Sequence, residues 1–187
     1  MSIQSSDTAA GKPVRKEERR VETADPIDPL ERRTSDADRR HENNAQYVTF
    51  FLGGHFLGVK VEKVQEVFQA KEMTRVPLAS SMIAGLINLR GHIIITIDLR
   101  KRLGIKKPAT QDEKMSIVVR TDDGPVNLLV DRIGGVIEVR SDLFEETPTT
   151  LDTQLRKGIK GVYKLKGRLL LALDTEFITQ IDPHQVL

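Results

Sequence analysis

One fourteen-residue pattern occurs twice in this chain. Gly85–Asp98, GLINLRGHIIITID, reappears as Gly161–Asp174, GVYKLKGRLLLALD. Both copies keep two glycines, a basic residue before the second glycine, an apolar run and a closing aspartate. Self-similarity of this kind indicates two copies of one small structural unit. Two copies favour a packed pseudo-symmetric pair over a solenoid, which needs about three repeats or more.

A second, weaker echo precedes the first. Val61–Val67, VEKVQEV, resembles Val130–Val136, VDRIGGV, in the order of its charged and apolar residues. Short β-rich segments such as Tyr47–Leu52 also alternate with turn sequences, at the spacing that is typical of a barrel or a sandwich. Together with the duplication, this pattern predicts an all-β fold with short helices, built as two small barrels side by side.

Two local predictions concern the first segment of the weaker echo and the first repeat. Apolar residues at 61, 64, 67 and 68 follow a helical period, so we expect a short helix after a first hairpin that turns at Gly53-Gly54, with Glu66 on the polar face of the helix. In the first repeat, Ile93, Ile95 and Ile97 alternate with Ile94, Thr96 and Asp98. This alternation predicts that the strand face carrying Ile95 is fully buried and the other face partly buried.

The first part of the chain has a different composition. Residues 1–46 contain nine Lys and Arg, ten Asp and Glu, five large aliphatic residues and no aromatic residue. Such a segment buries too little apolar surface to offset its loss of conformational entropy. We therefore expect a disordered charged tail at 1–46 and a folded domain at 47–187.

Composition also excludes several functions. The excess of three basic residues in the folded part is too small and too dispersed to indicate nucleic-acid binding. The chain has no cysteine, which fits a reducing cytosol. Its longest apolar runs suit buried strands and are too short to cross a bilayer, so we expect no direct membrane insertion.

No sequence pattern points to catalysis. The chain has no phosphate-binding P-loop, no nucleophile elbow and no pair of histidines at zinc-ligand spacing. Asp98 and Asp174 occupy matching places in the repeats, and we interpret them as strand-end or helix-capping residues and not as a catalytic pair. We expect no catalytic residue, no cofactor and no metal.

Several motifs in order resemble one known family. They are FFLG at 50–53, VQEV at 64–67, VP at 76–77, GLINLRG at 85–91 and IDLR at 97–100. Together they resemble the CheW-like family, the adaptor proteins of bacterial chemotaxis, over about residues 47–181. The resemblance implies two five-stranded SH3-like barrels that share an apolar interface. It also implies a non-catalytic cytoplasmic adaptor at receptor arrays on the inner membrane, with two partners, the chemoreceptor tips and the regulatory domain of the histidine kinase CheA.

The resemblance further implies a partner-binding site. Residues of the family that match Glu66 and Arg90 are associated with coupling to receptor and kinase. An unpaired arginine is costly to bury, so we place Arg90 at the surface and predict that it forms an ion pair with Glu66. Four neighbours complete the predicted contact patch: Lys63, Val64, Asn88 and Ile93.

The sequence leaves two other functions open. One is a paralogous scaffold, or a separate copy of the kinase regulatory domain, that serves a two-component system outside chemotaxis. The other is a small β-barrel enzyme or nucleic-acid binder, which the missing motifs and the mild charge disfavour.

Removing the tail should leave the melting temperature nearly unchanged, because so few of its residues are apolar. Thermal unfolding of the full and truncated chains, followed by circular dichroism, tests this expectation. A fall of several degrees would mean that the tail packs on the domain.

Overall fold

The computed structural model describes residues 44–106 and 114–181. The first strand begins at Asn44, three residues before the predicted domain boundary. The rest of the predicted tail lies outside the described residues, and a truncation that tests it should therefore end at residue 43.

The described chain is built mostly of short strands. The strands are β1 (Asn44–Leu52), β2 (His55–Lys60), β3 (Val64–Gln69), β4 (Ile83–Leu89), β5 (His92–Asp98), β6 (Met115–Thr121), β7 (Gly124–Val130), β8 (Arg132–Arg140), β9 (Phe144–Glu145), β10 (Ile159–Leu165) and β11 (Arg168–Leu173). The helices are α1 (Leu99–Arg102), α2 (Thr153–Lys157) and α3 (Thr175–Thr179), and 3-10 turns occur at Val61–Lys63 and Ser141–Leu143. None of these helices exceeds five residues, so none could cross a membrane.

The strands form two sheets that exchange hairpins between the halves of the chain. The six-stranded sheet has the order β8-β1-β2-β11-β10-β9, and the five-stranded sheet has the order β3-β6-β7-β5-β4. In each sheet, a hairpin from one half joins a hairpin from the other half through a parallel strand pair, β2 with β11 and β7 with β5. The predicted all-β fold of two pseudo-symmetric units is confirmed, with β9 as an additional strand of two residues.

The two repeats form hairpins with the same register. Gly85 faces Thr96 in the β4–β5 hairpin, and Gly161 faces Ala172 in the β10–β11 hairpin. Each hairpin has an irregularity immediately before its glycine. The repeats therefore lie in different sheets as matching strand pairs, as predicted.

Close backbone approach explains why both copies keep this first glycine. A Cβ atom on Gly85 would lie 2.6 Å from the carbonyl oxygen of Thr74, and one on Gly161 would lie 2.6 Å from that of Glu145. Thr74 bridges to Leu86, and Glu145 pairs with Val162, so a neighbouring segment crosses each hairpin at the same point. Any side chain here would push that segment away.

The weaker echo marks a matching strand in each sheet. Val64 of β3 pairs with Val119, and Ile133 of β8 pairs with Phe50, each followed by a bulge. After the bulge, Glu66 stands in β3 at the position that a glycine, Gly135, takes in β8. The two segments are therefore equivalent edge strands.

Three apolar clusters hold the sheets together. The largest takes residues from both sheets, including Phe50 and Leu57 of the six-stranded sheet and Ile97 and Leu128 of the five-stranded sheet, all fully buried. A second cluster, around Tyr47, Tyr163 and Leu170, belongs to the six-stranded sheet. The third belongs to the five-stranded sheet and is made of Ile87, Leu89, Ile94 and Val118.

The helix predicted after the first hairpin is wrong. Val61–Lys63 forms one 3-10 turn, and the chain then enters strand β3, where half-buried and exposed residues alternate. A helical period and an alternating period are hard to distinguish in so short a segment. The β-branched valines and the pairing of β3 with β6 favour the strand.

The predicted burial of Ile95 is also wrong. Ile94 and Thr96 point into the five-stranded unit and are buried, whereas Ile95 is only partly buried and Ile93 is largely exposed. Ile97, which shares their side of the strand, is fully buried where the two sheets meet. One strand face therefore passes from the surface to the core along its length.

Shortening Ile97 should cost much more than shortening Ile95. We expect Ile97→Ala to lower the free energy of unfolding by about 2–5 kcal/mol, since it opens a cavity in the shared core. Ile95→Ala should cost about 1 kcal/mol, because part of its side chain already contacts solvent. Urea unfolding compares the two variants, and an equal or larger loss for Ile95→Ala would contradict this assignment of the strand faces.

Candidate partner-binding site

The β4–β5 turn presents Arg90 in an unusual backbone conformation. Arg90 and Gly91 are the two residues between the strands, and both have positive φ angles, 56° and 89°. This combination matches the tight hairpin turn that suits the natural twist of paired strands. The side-chain Oδ1 of Asn88 accepts a hydrogen bond from the backbone N–H of Gly91 at 2.8 Å. Asn88 thus fixes the turn that presents Arg90.

Arg90 forms the predicted ion pair with Glu66. Its Nη2 lies 3.2 Å from Oε2 of Glu66. The Arg90 side chain is 78% exposed and that of Glu66 is 28% exposed. An ion pair this accessible to water contributes about 0–1 kcal/mol to stability. Its geometry therefore matters more for what the surface presents than for the stability of the fold.

The ion pair joins the two ends of the five-stranded sheet. Glu66 is on β3, the first strand in the sheet order, and Arg90 follows β4, the last. Phe68 of β3 and Leu89 of β4 also pack in the same apolar cluster. The edge strands therefore come together on the inside through apolar contact and at the rim through the ion pair.

The other predicted site residues have different surroundings. Ile93 faces Asn88 across the hairpin and is 66% exposed. Val64 is half-buried and packs on the shared core. Lys63 is half-buried at the end of the 3-10 turn.

Lys63 and Ile93 line an open cleft of about 880 Å³. One wall is formed by β5 and the β6–β7 turn, and the other by α3 and the residues that follow it. Its apolar lining residues are Ile93, Ile95, Pro125, Val126 and Ile181, and its charged ones are Lys63, Arg102, Arg120, Asp122, Asp123 and Glu176. The cleft therefore combines an apolar strip with charges of both signs, as protein interfaces do.

Half of this cleft could not be predicted from local sequence patterns. No local pattern predicted that the β6–β7 turn and α3 would face Ile93. Residues 120–126 and 175–181 are far from Ile93 along the chain and come together only through the exchange of hairpins. Arg102, at the junction of the two walls, was likewise missed.

The matching aspartates cap helices, as expected. Asp98 accepts hydrogen bonds from the backbone N–H groups of Arg100 at 3.1 Å and Lys101 at 3.3 Å. Asp174 accepts one from Phe177 at 3.1 Å. Each aspartate thus pairs amide donors that the first turn of its helix leaves free.

Comparison with known proteins decides the family. A family model described as CheW-like domain matches residues 46–182, which is most of the chain. The chain belongs to the CheW-like family. The chemotaxis protein CheW of Thermotoga maritima is 33% identical over 135 residues, covering 72% of this chain and 87% of that protein. The chemotaxis protein CheW of Bacillus subtilis is 30% identical over 138 residues, covering 74% of this chain and 88% of that protein.

A solved structure of the CheW-like family has the same fold. The scaffolding protein TtCheW of Thermoanaerobacter tengcongensis superimposes with a TM-score of 0.67 at 29% sequence identity. The match covers 74% of this chain and 89% of that one. The sequence resemblance and the fold therefore lead to the same family.

Replacing Arg90 by asparagine should leave the stability of the fold nearly unchanged. Asparagine tolerates a positive φ better than arginine does, and this offsets the loss of an exposed ion pair. We expect the free energy of unfolding of Arg90→Asn, measured in urea, to lie within about 1 kcal/mol of the wild-type value. Arg90→Val is the control and should cost more, because a β-branched residue is disfavoured at positive φ. A loss above about 2 kcal/mol for Arg90→Asn would make the ion pair a structural element.

Proposed function

We propose that this protein is an adaptor of bacterial chemotaxis that couples chemoreceptors to the histidine kinase CheA and catalyses no reaction itself. The observation that carries the proposal is the match of the whole folded domain to the CheW-like family. The adaptor acts in the cytoplasm, at receptor arrays on the inner membrane.

The surface around Arg90 has the properties of a contact site. Ile93 exposes an apolar side chain next to the charged pair, on a hairpin whose turn is fixed by Asn88. A rigid apolar anchor surrounded by polar groups is the arrangement that dominates binding energy at interfaces. Arg90 holds a positive φ angle, which a residue with a side chain adopts only at some cost, and this fits a residue whose role is in binding.

In this proposal, five of the six site residues contact a partner, and Val64 supports them from the core. Glu66, Arg90, Asn88 and Ile93 form one continuous surface, and Ile93 extends it into the cleft that Lys63 also lines. Val64 supports this surface from below, since it packs on the core. The chemoreceptor tip and the kinase regulatory domain are the two partners of this region.

Loss of the exposed surface should weaken binding without unfolding the protein. We expect Glu66→Ala, Arg90→Ala and Ile93→Ser each to reduce affinity for a receptor fragment or a CheA fragment about tenfold, equivalent to ~1.4 kcal/mol. Isothermal titration calorimetry measures each partner separately, and receptor-stimulated phosphorylation of CheA measures coupling. Circular dichroism first establishes that each variant is folded.

Arg140→Ala is the matched control. Arg140 forms an ion pair with Asp142 that is similarly exposed and lies outside the cleft and the β4–β5 turn. If the three site variants bind both partners as Arg140→Ala does, the site assignment is wrong. If the wild-type protein binds neither partner, the adaptor proposal fails, and a scaffold of another two-component system becomes the better hypothesis.

A further inference from the structure

Arg102 makes an unusual set of contacts at the end of α1. Its Nη2 donates hydrogen bonds to the backbone carbonyl oxygens of Phe177 and of Gln180, the latter at 3.1 Å. Its guanidinium also lies over the ring of Phe177, 4.7 Å from the ring centre. The Arg102 side chain therefore holds the C-terminal end of α3 through hydrogen bonds to two carbonyl groups and a contact with one aromatic ring.

These contacts satisfy carbonyl groups that are left unpaired at the C-terminal end of a helix. The last carbonyl groups of a helix have no partner within it, and they carry partial negative charge that a cation stabilises. The guanidinium is planar and can donate to two carbonyls at once, which a lysine ammonium cannot do in the same geometry.

The position of Arg102 has a cost. Its Nε is buried and has no hydrogen-bond partner among the described residues. Burial also lowers the pKa of the guanidinium from its ordinary value. The contacts to α3 must therefore compensate for partial loss of hydration.

Helix α3 depends on such an anchor. It has five residues, too few to be stable in isolation. Asp174 caps its N-terminus and Ile178 inserts into the shared core, while its C-terminal end meets Arg102. The equivalent helix α1 carries Leu99 and is followed by Leu103, both fully buried, and its Arg100 forms an ion pair with Asp131.

Arg102 also lies where the two walls of the cleft meet. It follows β5, which carries Ile93 and Ile95 on one wall, and it grips α3, which forms the other. A shift of α3 would change the distance between the apolar strip and Thr179, Gln180 and Ile181. The Arg102 contacts thus connect the cleft walls directly.

We propose that Arg102 is a positioning residue that holds α3 against α1 and so sets the width of the cleft for a protein partner. The proposal rests on the proposed adaptor function for the identity of that partner, a chemoreceptor cytoplasmic fragment. Arg102 acts through α3 and need not contact the partner itself.

Hydrogen exchange and binding together test this role. In Arg102→Lys and Arg102→Gln, the amides of residues 177–181 should exchange at least about tenfold faster than in wild type, while those of β6 and β7 stay unchanged. The affinity for the receptor fragment should fall about tenfold in both variants, because lysine keeps the charge but loses the double contact. Arg168→Lys is the control. The Arg168 guanidinium lies 4.8 Å from the ring centre of Phe56, and Arg168 does not line the cleft, so this substitution should change neither the exchange rates nor the affinity.

A second variant guards against misfolding. Phe177→Leu keeps Arg102 and removes only the aromatic face, so it should show a smaller change of the same kind in both measurements. Unchanged exchange at 177–181 in the folded Arg102 variants would overturn the proposal. Faster exchange with unchanged affinity would also overturn it, because Arg102 would then stabilise α3 without setting the cleft. If wild type fails to bind the receptor fragment, the adaptor proposal fails, and the assignment of the cleft to that partner fails with it. The exchange data still decide whether Arg102 holds α3.

Discussion

One apolar core packs between the six-stranded and the five-stranded sheets. Its fully buried residues come from both sheets, and each sheet combines hairpins from both halves of the chain. Neither sheet can therefore be completed by one repeat alone. Because buried apolar area is the dominant favourable term in folding, joining the two sheets over one core also fixes the cleft between β5 and α3.

Differences between the repeats, more than their similarity, produce the candidate site. Inside the five-stranded unit, Asn127 donates hydrogen bonds to Thr96 at 3.0 Å and Ser116 at 3.1 Å. The matching positions of the other unit are Gly58, Ala172 and Tyr47, where an aromatic ring fills the space instead. The same backbone thus accepts different interiors, and the rim differs as well. In the other unit, Gly135 stands at the position of Glu66. The turn that matches Arg90-Gly91 is Lys166-Gly167, in which only Gly167 has a positive φ angle. The ion pair of Glu66 with Arg90 therefore has no counterpart in that unit.

Local patterns predicted the strands and hairpins well and the orientation of side chains less well. The repeat, the turn sequences and the capping aspartates depend on neighbouring residues, and these predictions were confirmed. The helix expected around Glu66 was wrong because four apolar residues in a short segment fit both periods. Ile95 was assigned to a buried face because the alternation shows that two faces exist but not where along the strand the second sheet covers one of them.

Local patterns in the sequence were enough to predict the fold class and the pseudo-symmetry, and the charges of Glu66 and Arg90 indicated their ion pair once the family resemblance had singled out these two residues. Only the three-dimensional structure revealed that hairpins exchange between sheets, that Ile95 is only partly buried, and that Arg102 donates hydrogen bonds to α3 and the residue after it. The physical reason is the range of the interactions. Turn conformation, capping and strand periodicity act over a few residues and leave a mark in the sequence, whereas the cleft and its arginine depend on contacts between segments more than seventy residues apart.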